Sequence, residues 1–285
     1  MNSSITGEVT RQAVECLGGY AYQIYASALA WATLLECEVL HLEVAEDFAV
    51  STKSALTAVQ IKRTEAKVTS SSPGIVASID SFVTLTLDNP DRVVTLRYLT
   101  TSEIGTERRK DDRVDGKAFI FAWNTLRRSG DLQPLRRRIA QMGLTQRTTE
   151  FIADLSDTDL RKRVLRKLWF DCGQPGFNEL NSQLNDALVE IGNQKGIFAA
   201  ESEKARPAII ERILLCSSDR GDRELTRSDF IRTFDQQSTT SVSNALLRSV
   251  LMRGTVDGRT TLNCARRFWR NQSINFILPP PVTEQ

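Results

Sequence analysis

Histidine is almost missing from this sequence: His41 stands alone in 285 residues. One imidazole cannot build, within a single chain, the histidine clusters of HD-type phosphohydrolases or zinc hydrolases. A Ser-His-Asp triad would have to use His41, and no GxSxG elbow accompanies it. Cysteine is sparse as well. Cys16, Cys37, Cys172, Cys216 and Cys264 are odd in number, well separated, and form no CxxC pair. That argues against a disulfide scaffold and against a structural zinc site. A phosphate loop of the form GxxxxGK[ST] does not occur. The start, MNSSITGEVTRQAVECLGGY, has no basic stretch followed by an apolar run, and the most apolar segment, IYASALAWATLL, is too short to span a bilayer. The expectation is a soluble, cytoplasmic protein without a membrane partner.

What is present is a chain with enough apolar residues, 41% of the total, to fill a sizeable core. Its net charge of +2 hides an uneven distribution. Residues 1–50 carry Glu8, Glu15, Glu36, Glu38, Glu43, Glu46 and Asp47 against Arg11 and no lysine. Residues 97–170 are basic, with RRK at 108–110, RR at 127–128, RRR at 136–138 and RKR at 161–163. Acids that hold cations beside a basic face that holds phosphates would suit a metal-dependent enzyme acting on a polyanion. Solvated helix faces would show the same runs.

Hydrophobic spacing organises the chain into two parts. Residues 20–36 place Ala21, Tyr25, Ala28, Ala32 and Leu35 on one helical face. EVLHLEVAEDFAV (38–50) alternates as one strand, or as two around the turn AED, and LTAVQIK (56–62) reads as the next strand. GIVASIDSFVTLTL predicts a helix closed by Asn89 and Pro90, and RVVTLRYLT (92–100) a strand. Beyond residue 100 strands largely give way to helical candidates at 117–128, 132–141, 147–153, 157–168, 177–191, 206–216, 227–234 and 242–252. Ser156 with Asp159, and Thr226 with Asp229, have capping-box spacing at two helix starts. The predicted organisation is an α/β domain over 1–150 and a mostly helical accessory or regulatory region over 151–285. The tail ILPPPVTEQ reads as a linker that could lead into a further domain.

The sharpest chemical pattern is an acidic strand followed by QxK. Period two puts Gln60 and Lys62 on one face of a strand, downstream of Asp47. A carboxylate with neighbouring oxygens can bind Mg²⁺ (or Mn²⁺), and a lysine there can orient water or offset charge on an attacked phosphate. A solvent-facing strand edge would give the same alternation.

The stretches GYAYQ (19–23), LEVAEDF (42–48), AVQIKRTE (58–65) and RYLTTSEIG (97–105) together resemble the PD-(D/E)XK restriction-like nucleases. They look most like the double-stranded-DNA endonucleases of CD-NTase-associated (CBASS) and STAND-NTPase anti-phage effectors. That resemblance implies a restriction-endonuclease-like core, a mixed central sheet flanked by helices. Asp47 would match the metal-binding aspartate, Gln60 the second ligand position, Lys62 the catalytic lysine, and Gln23 the polar residue of the first helix. Because a neutral amide at Gln60 would bind a divalent cation less strongly than a carboxylate, the resemblance calls for one more acid, supplied by Glu43 if the strand is unbroken or by Glu46 if the chain turns there. The expected function is Mg²⁺-dependent hydrolysis of double-stranded DNA in anti-phage defence. Duplex cleavage needs two active sites, so a homo-oligomer or a partner or sensor domain is also expected. The alternative is a catalytically inactive nucleic-acid-binding, scaffold or sensor module of a defence complex.

Overall fold

The computed structural model describes residues 14–63 and 66–238, with side chains from Cys16 onward. The helical candidate at 242–252, the tail ILPPPVTEQ and Cys264 lie outside the described residues. Six strands join in the hydrogen-bonded order β5-β4-β3-β2-β1-β6. They are β1 (Val39–Leu42), β2 (Phe48–Ser51), β3 (Ala55–Lys62), β4 (Val93–Thr100), β5 (Leu168–Asp171) and β6 (Glu224–Thr226). β1–β2, β2–β3 and β1–β6 are antiparallel, whereas β4–β5 is parallel.

The chain separates into two compact units. The first takes in residues up to Ala26 together with Gln60–Leu180, and the second takes in Ser27–Val59 together with the chain from Asn181. Helix α1 (Val14–Ala32) and strand β3 each run through a boundary.

In the first unit, α2 (Pro73–Asp88) starts with proline at its first turn, where a missing N–H costs nothing, and buries Ile75, Ile79, Phe82 and Val83 at helical spacing. Gly74 has no side chain because a Cβ there would sit 2.8 Å from the Tyr98 hydroxyl. After β4 come the short helices α3 (Phe119–Leu126), α4 (Gln133–Ala140), α5 (Gln146–Ala153) and α6 (Asp157–Asp159). α6 opens under the Ser156 cap and continues as a π-helical stretch over Leu160–Leu165. β5 follows directly. The Trp123 ring packs edge-on against Phe170 at 5.1 Å, and its indole N–H donates to the Leu168 carbonyl at 3.1 Å. This pairing ties α3 to β5 and contributes on the order of 1 kcal/mol beyond the burial of its area.

In the second unit, α7 (Phe177–Gln194, counted from Asn181), α8 (Ala199–Ser202), α9 (Arg206–Ser218) and α10 (Arg227–Gln237) accompany β1, β2 and β6. Trp31 is fully buried, donates to the Thr226 carbonyl at 2.8 Å and meets Phe230 edge-on at 5.4 Å. Thr226 and Asp229 form the complete capping box that starts α10.

The C-terminal region, expected as mostly helical, is so over its described residues but also contributes two short strands. Residues 168–171 and 224–226 form β5 and β6, the two outermost strands of the sheet. Strands of four and three residues are too short to show a period of two against a helical background. The segment 157–168, read as one helix, therefore ends as β-structure. β3 is likewise no sheet edge: it lies between β4 and β2, and Leu56–Ile61 are all buried.

Candidate functional site

A hairpin turn governs the acidic segment. β1 stops at Leu42, opposite Phe48 of β2, so residues 43–47 form the connection, with the Glu43 N–H donating to the Asp47 carbonyl at 3.1 Å. Glu43 and Glu46 both take left-handed backbone, at φ 54° and 79°. Such conformations are strained for residues with a Cβ and are held by their surroundings. The unbroken strand that would have let Glu43 follow Asp47's parity is therefore absent.

The sequence-predicted residues are divided between the two units. Glu43, Glu46 and Asp47, all half-buried, belong to the second unit, and Gln23, Gln60 and Lys62 to the first. Gln60 is buried, and its Oε1 accepts no hydrogen bond. Lys62, the last residue of β3, is exposed. No group of three or more His, Cys, Asp and Glu side chains that could hold a metal forms among the described residues, so the donor set expected for Mg²⁺ or Mn²⁺ is not met there.

The second unit instead presents an open cavity of ≈ 820 Å³ between the β1–β2 turn and the segment leading into β6. Its geometry follows from the β1–β6 pairing. His41 stands opposite Glu224, and its Nδ1 lies 3.4 Å from the Glu224 carboxylate. Its Nε2 lies 2.8 Å from the Ser51 hydroxyl. Arg223 anchors the other wall. Its guanidinium donates to the carbonyls of Glu43 at 2.7 Å and Asp219 at 2.5 Å, while its own carbonyl accepts from the Leu42 N–H at 2.9 Å. The turn before it is held by Asp219, which accepts from the Gly221 N–H at 2.9 Å. Arg220 and Asp222 also line the cavity and are exposed. Arg220 forms no salt bridge among the described residues. Sequence reasoning placed His41 beside Glu43 and passed over DRGDRE (219–224). The available signal was the glycine-centred run of alternating charge ahead of a capped helix.

Within the basic run 108–138, Arg113, Arg136 and Arg138 serve the interior of the first unit. Arg136 donates to Asp157 at 2.9 Å and to the carbonyls of Ile152 and Leu155. Arg138 is buried and donates to Ser70 at 2.8 and 3.0 Å and to Asp112 at 2.9 Å. The Arg113 side chain donates to the Glu107 carbonyl. In Arg136 and Arg138 the Nε and both Nη atoms are all engaged in this way, which leaves neither guanidinium for a phosphate; Arg137 between them is exposed. No helix among the described residues is long and apolar enough to cross a membrane.

No family model and no curated protein matches the chain. It is similar to solved structures of the Acinetobacter baumannii Cap4 SAVED/CARF-domain containing receptor with the cyclic trinucleotide 3'3'3'-cAAA (TM-score 0.48, 12% identity, covering 81% of this chain and 46% of that one). A second structure of that receptor, with 2'3'3'-cAAA, aligns over the same shares at TM-score 0.47 and 12% identity. The Moraxella osloensis Cap4 SAVED/CARF-domain containing receptor aligns at TM-score 0.45 and 14% identity, over 77% of this chain and 46% of that one. The chain thus spans about half the length of the solved chains it matches.

These findings correct what the sequence resemblance implied. The proteins found are described as receptors, where restriction-like nucleases were expected. The restriction-endonuclease-like core, the Mg²⁺-dependent endonuclease and the double-stranded-DNA partner, expected from the sequence, do not find their metal site among the described residues. Physically, the proposed ligands assemble no metal-holding group among the described residues, and the longest arginine run is largely consumed by internal hydrogen bonds.

Proposed function

We propose that this chain is a non-catalytic receptor module that binds a nucleotide-type anion of the cyclic-oligonucleotide class in the cavity of its second unit. The observation that carries this reading is the lining of that cavity. Two guanidiniums, an imidazole and three carboxylates surround a space of ≈ 820 Å³, within the range of roughly 300–1,000 Å³ usual for small-molecule sites. Guanidiniums match phosphodiester oxygens in planar, paired hydrogen bonds. The carboxylates of Glu43, Asp222 and Glu224 accept from exocyclic amino groups or ribose hydroxyls. Arg223 is fixed by two backbone carbonyls and shapes the wall, which leaves Arg220 to meet the phosphate. Such a receptor works in the cytoplasm, where nucleotide signals are made.

Calorimetry tests the reading with 3'3'3'-cAAA and 2'3'3'-cAAA as probes and linear tri-adenylate as the comparison. A cyclic probe should bind saturably and be recovered unchanged, and Arg220→Gln should weaken it about tenfold or more by removing a charge-assisted pair. Absence of heat with every probe, or equal affinity in Arg220→Gln, would refute the assignment.

A further inference from the structure

A second cationic feature lies in the first unit and owes nothing to the cavity. The C-terminal end of α3 is closed by arginines that bind carbonyl oxygens, not carboxylates. Arg161 donates to the Leu126 carbonyl at 3.0 Å and to the Gly130 carbonyl at 2.8 Å. Arg127 and Arg166 exchange side-chain bonds with one another's backbone: Arg127 donates to the Arg166 carbonyl at 3.3 Å, and Arg166 to the Arg127 carbonyl at 3.1 Å. The Arg127 guanidinium carbon lies over the exposed Trp169 ring of β5, 3.1 Å from its centroid.

The charge balance here is incomplete. Carbonyls satisfy N–H donors but bring no net charge. The adjacent carboxylate, Asp171, is already held by Arg97 at 2.6 Å, with both side chains largely buried. Arg128 and Arg166 are exposed and form no salt bridge among the described residues. The strain is visible in Arg127, whose pKa is pushed down to about 10, first by burial and then by the charges of Arg97, Arg128 and Arg166, against the pull of Asp171. A partly buried guanidinium with others beside it is repelled by them unless an anion joins the group.

We propose that Arg127, Arg128 and Arg166, with Trp169 as an apolar wall, form a binding site for a phosphate-bearing anion. Phosphate fits because its oxygens accept from several guanidinium forks at once and its charge approaches −2 at neutral pH. The stacking of Arg127 on Trp169 fixes one fork in advance, so little side-chain freedom is lost on binding.

The test uses the full chain in phosphate-free buffer at about 20 mM salt, where surface electrostatics are weakly screened. Pyrophosphate is titrated by calorimetry, with quenching of tryptophan fluorescence as a second readout. One saturable site is expected. Arg128→Gln should weaken it about tenfold or more, and Arg127→Gln should do the same while Arg127→Lys restores only part of the loss. Arg220→Gln should bind pyrophosphate here as the parent does, which separates this site from the cavity. Inorganic phosphate and AMP in parallel tell whether the site takes the free anion or a phosphate carried by a nucleotide. The proposal is overturned if pyrophosphate shows no saturable binding, or if Arg128→Gln, folded by circular dichroism, binds it as tightly as the parent.

Discussion

Arg138→Met is the sharpest test of the physical reasoning about the basic run. The residue is only 6% exposed. It donates to Ser70 through Nε and Nη2, to Ser71 at 3.1 Å and to Asp112 at 2.9 Å. Ser70 in turn donates its N–H to the buried Glu107 carboxylate at 3.0 Å, which also accepts from the Phe119 N–H. Arg138 therefore pins the segment entering α2 to the start of α3. Breaking a buried ion pair from one side costs about 3–5 kcal/mol. Asp112 is 26% exposed and recovers some hydration once abandoned, which brings the expectation to about 2–4 kcal/mol. With a slope of about 2 kcal/mol per molar urea, the unfolding midpoint should fall by about 1–2 M. Arg137→Met removes the same charge from an exposed position and should stay within about 0.5 kcal/mol of the parent. Equal urea midpoints for the two variants, at unchanged slope, would refute the argument that burial and internal partners make Arg138 structural.

Thr226→Ala should cost about 1 kcal/mol at neutral pH by removing the α10 cap. Burial raises the Asp229 carboxyl, but hydrogen bonds from Thr226 and the charges of Arg232 and Arg212 outweigh it and hold the pKa below the usual range. A depressed carboxylate stabilises the fold above its unfolded pKa and loses that contribution as pH falls through the folded one. Thermal denaturation should therefore show the gap between Thr226→Ala and the parent narrowing below about pH 4; a constant gap down to pH 2 would exclude the Asp229 contribution. Cys172 is pushed up to about 12, by burial first and then by Asp171. At pH 8.5 it holds roughly a thousandfold less thiolate than an ordinary thiol. Iodoacetamide followed by mass spectrometry should label the exposed Cys16 and Cys37 long before Cys172, with urea removing the difference; equal native rates would refute this.

Much of the local structure was legible because it depends on neighbours in sequence. The spacing Ser-x-x-Asp and Thr-x-x-Asp located the starts of α6 and α10, since a cap needs only a side-chain oxygen within reach of an N–H three residues on. The apolar run after Ser72-Pro73 located α2, and β-branched content located β4. The alternation in AVQIK placed β3 but could not reveal that it lies inside the sheet, because burial on both faces is set by what packs there. The AED turn was one of two readings, and the pairing of Leu42 with Phe48 chose it.

By itself, the sequence determined the elements with a strong period, the caps, and the shortage of histidine and cysteine that closes off several chemistries. The tertiary structure decided where the charges go. Arg136 and Arg138 turned inward because carbonyls and acids distant in sequence came within 3 Å of them. His41 found Glu224, 183 positions away, through the register of β1 with β6, two strands too short to announce themselves. Charge type is written residue by residue, but whether a charge is spent or available depends on desolvation and partners, and those exist only once the chain has folded.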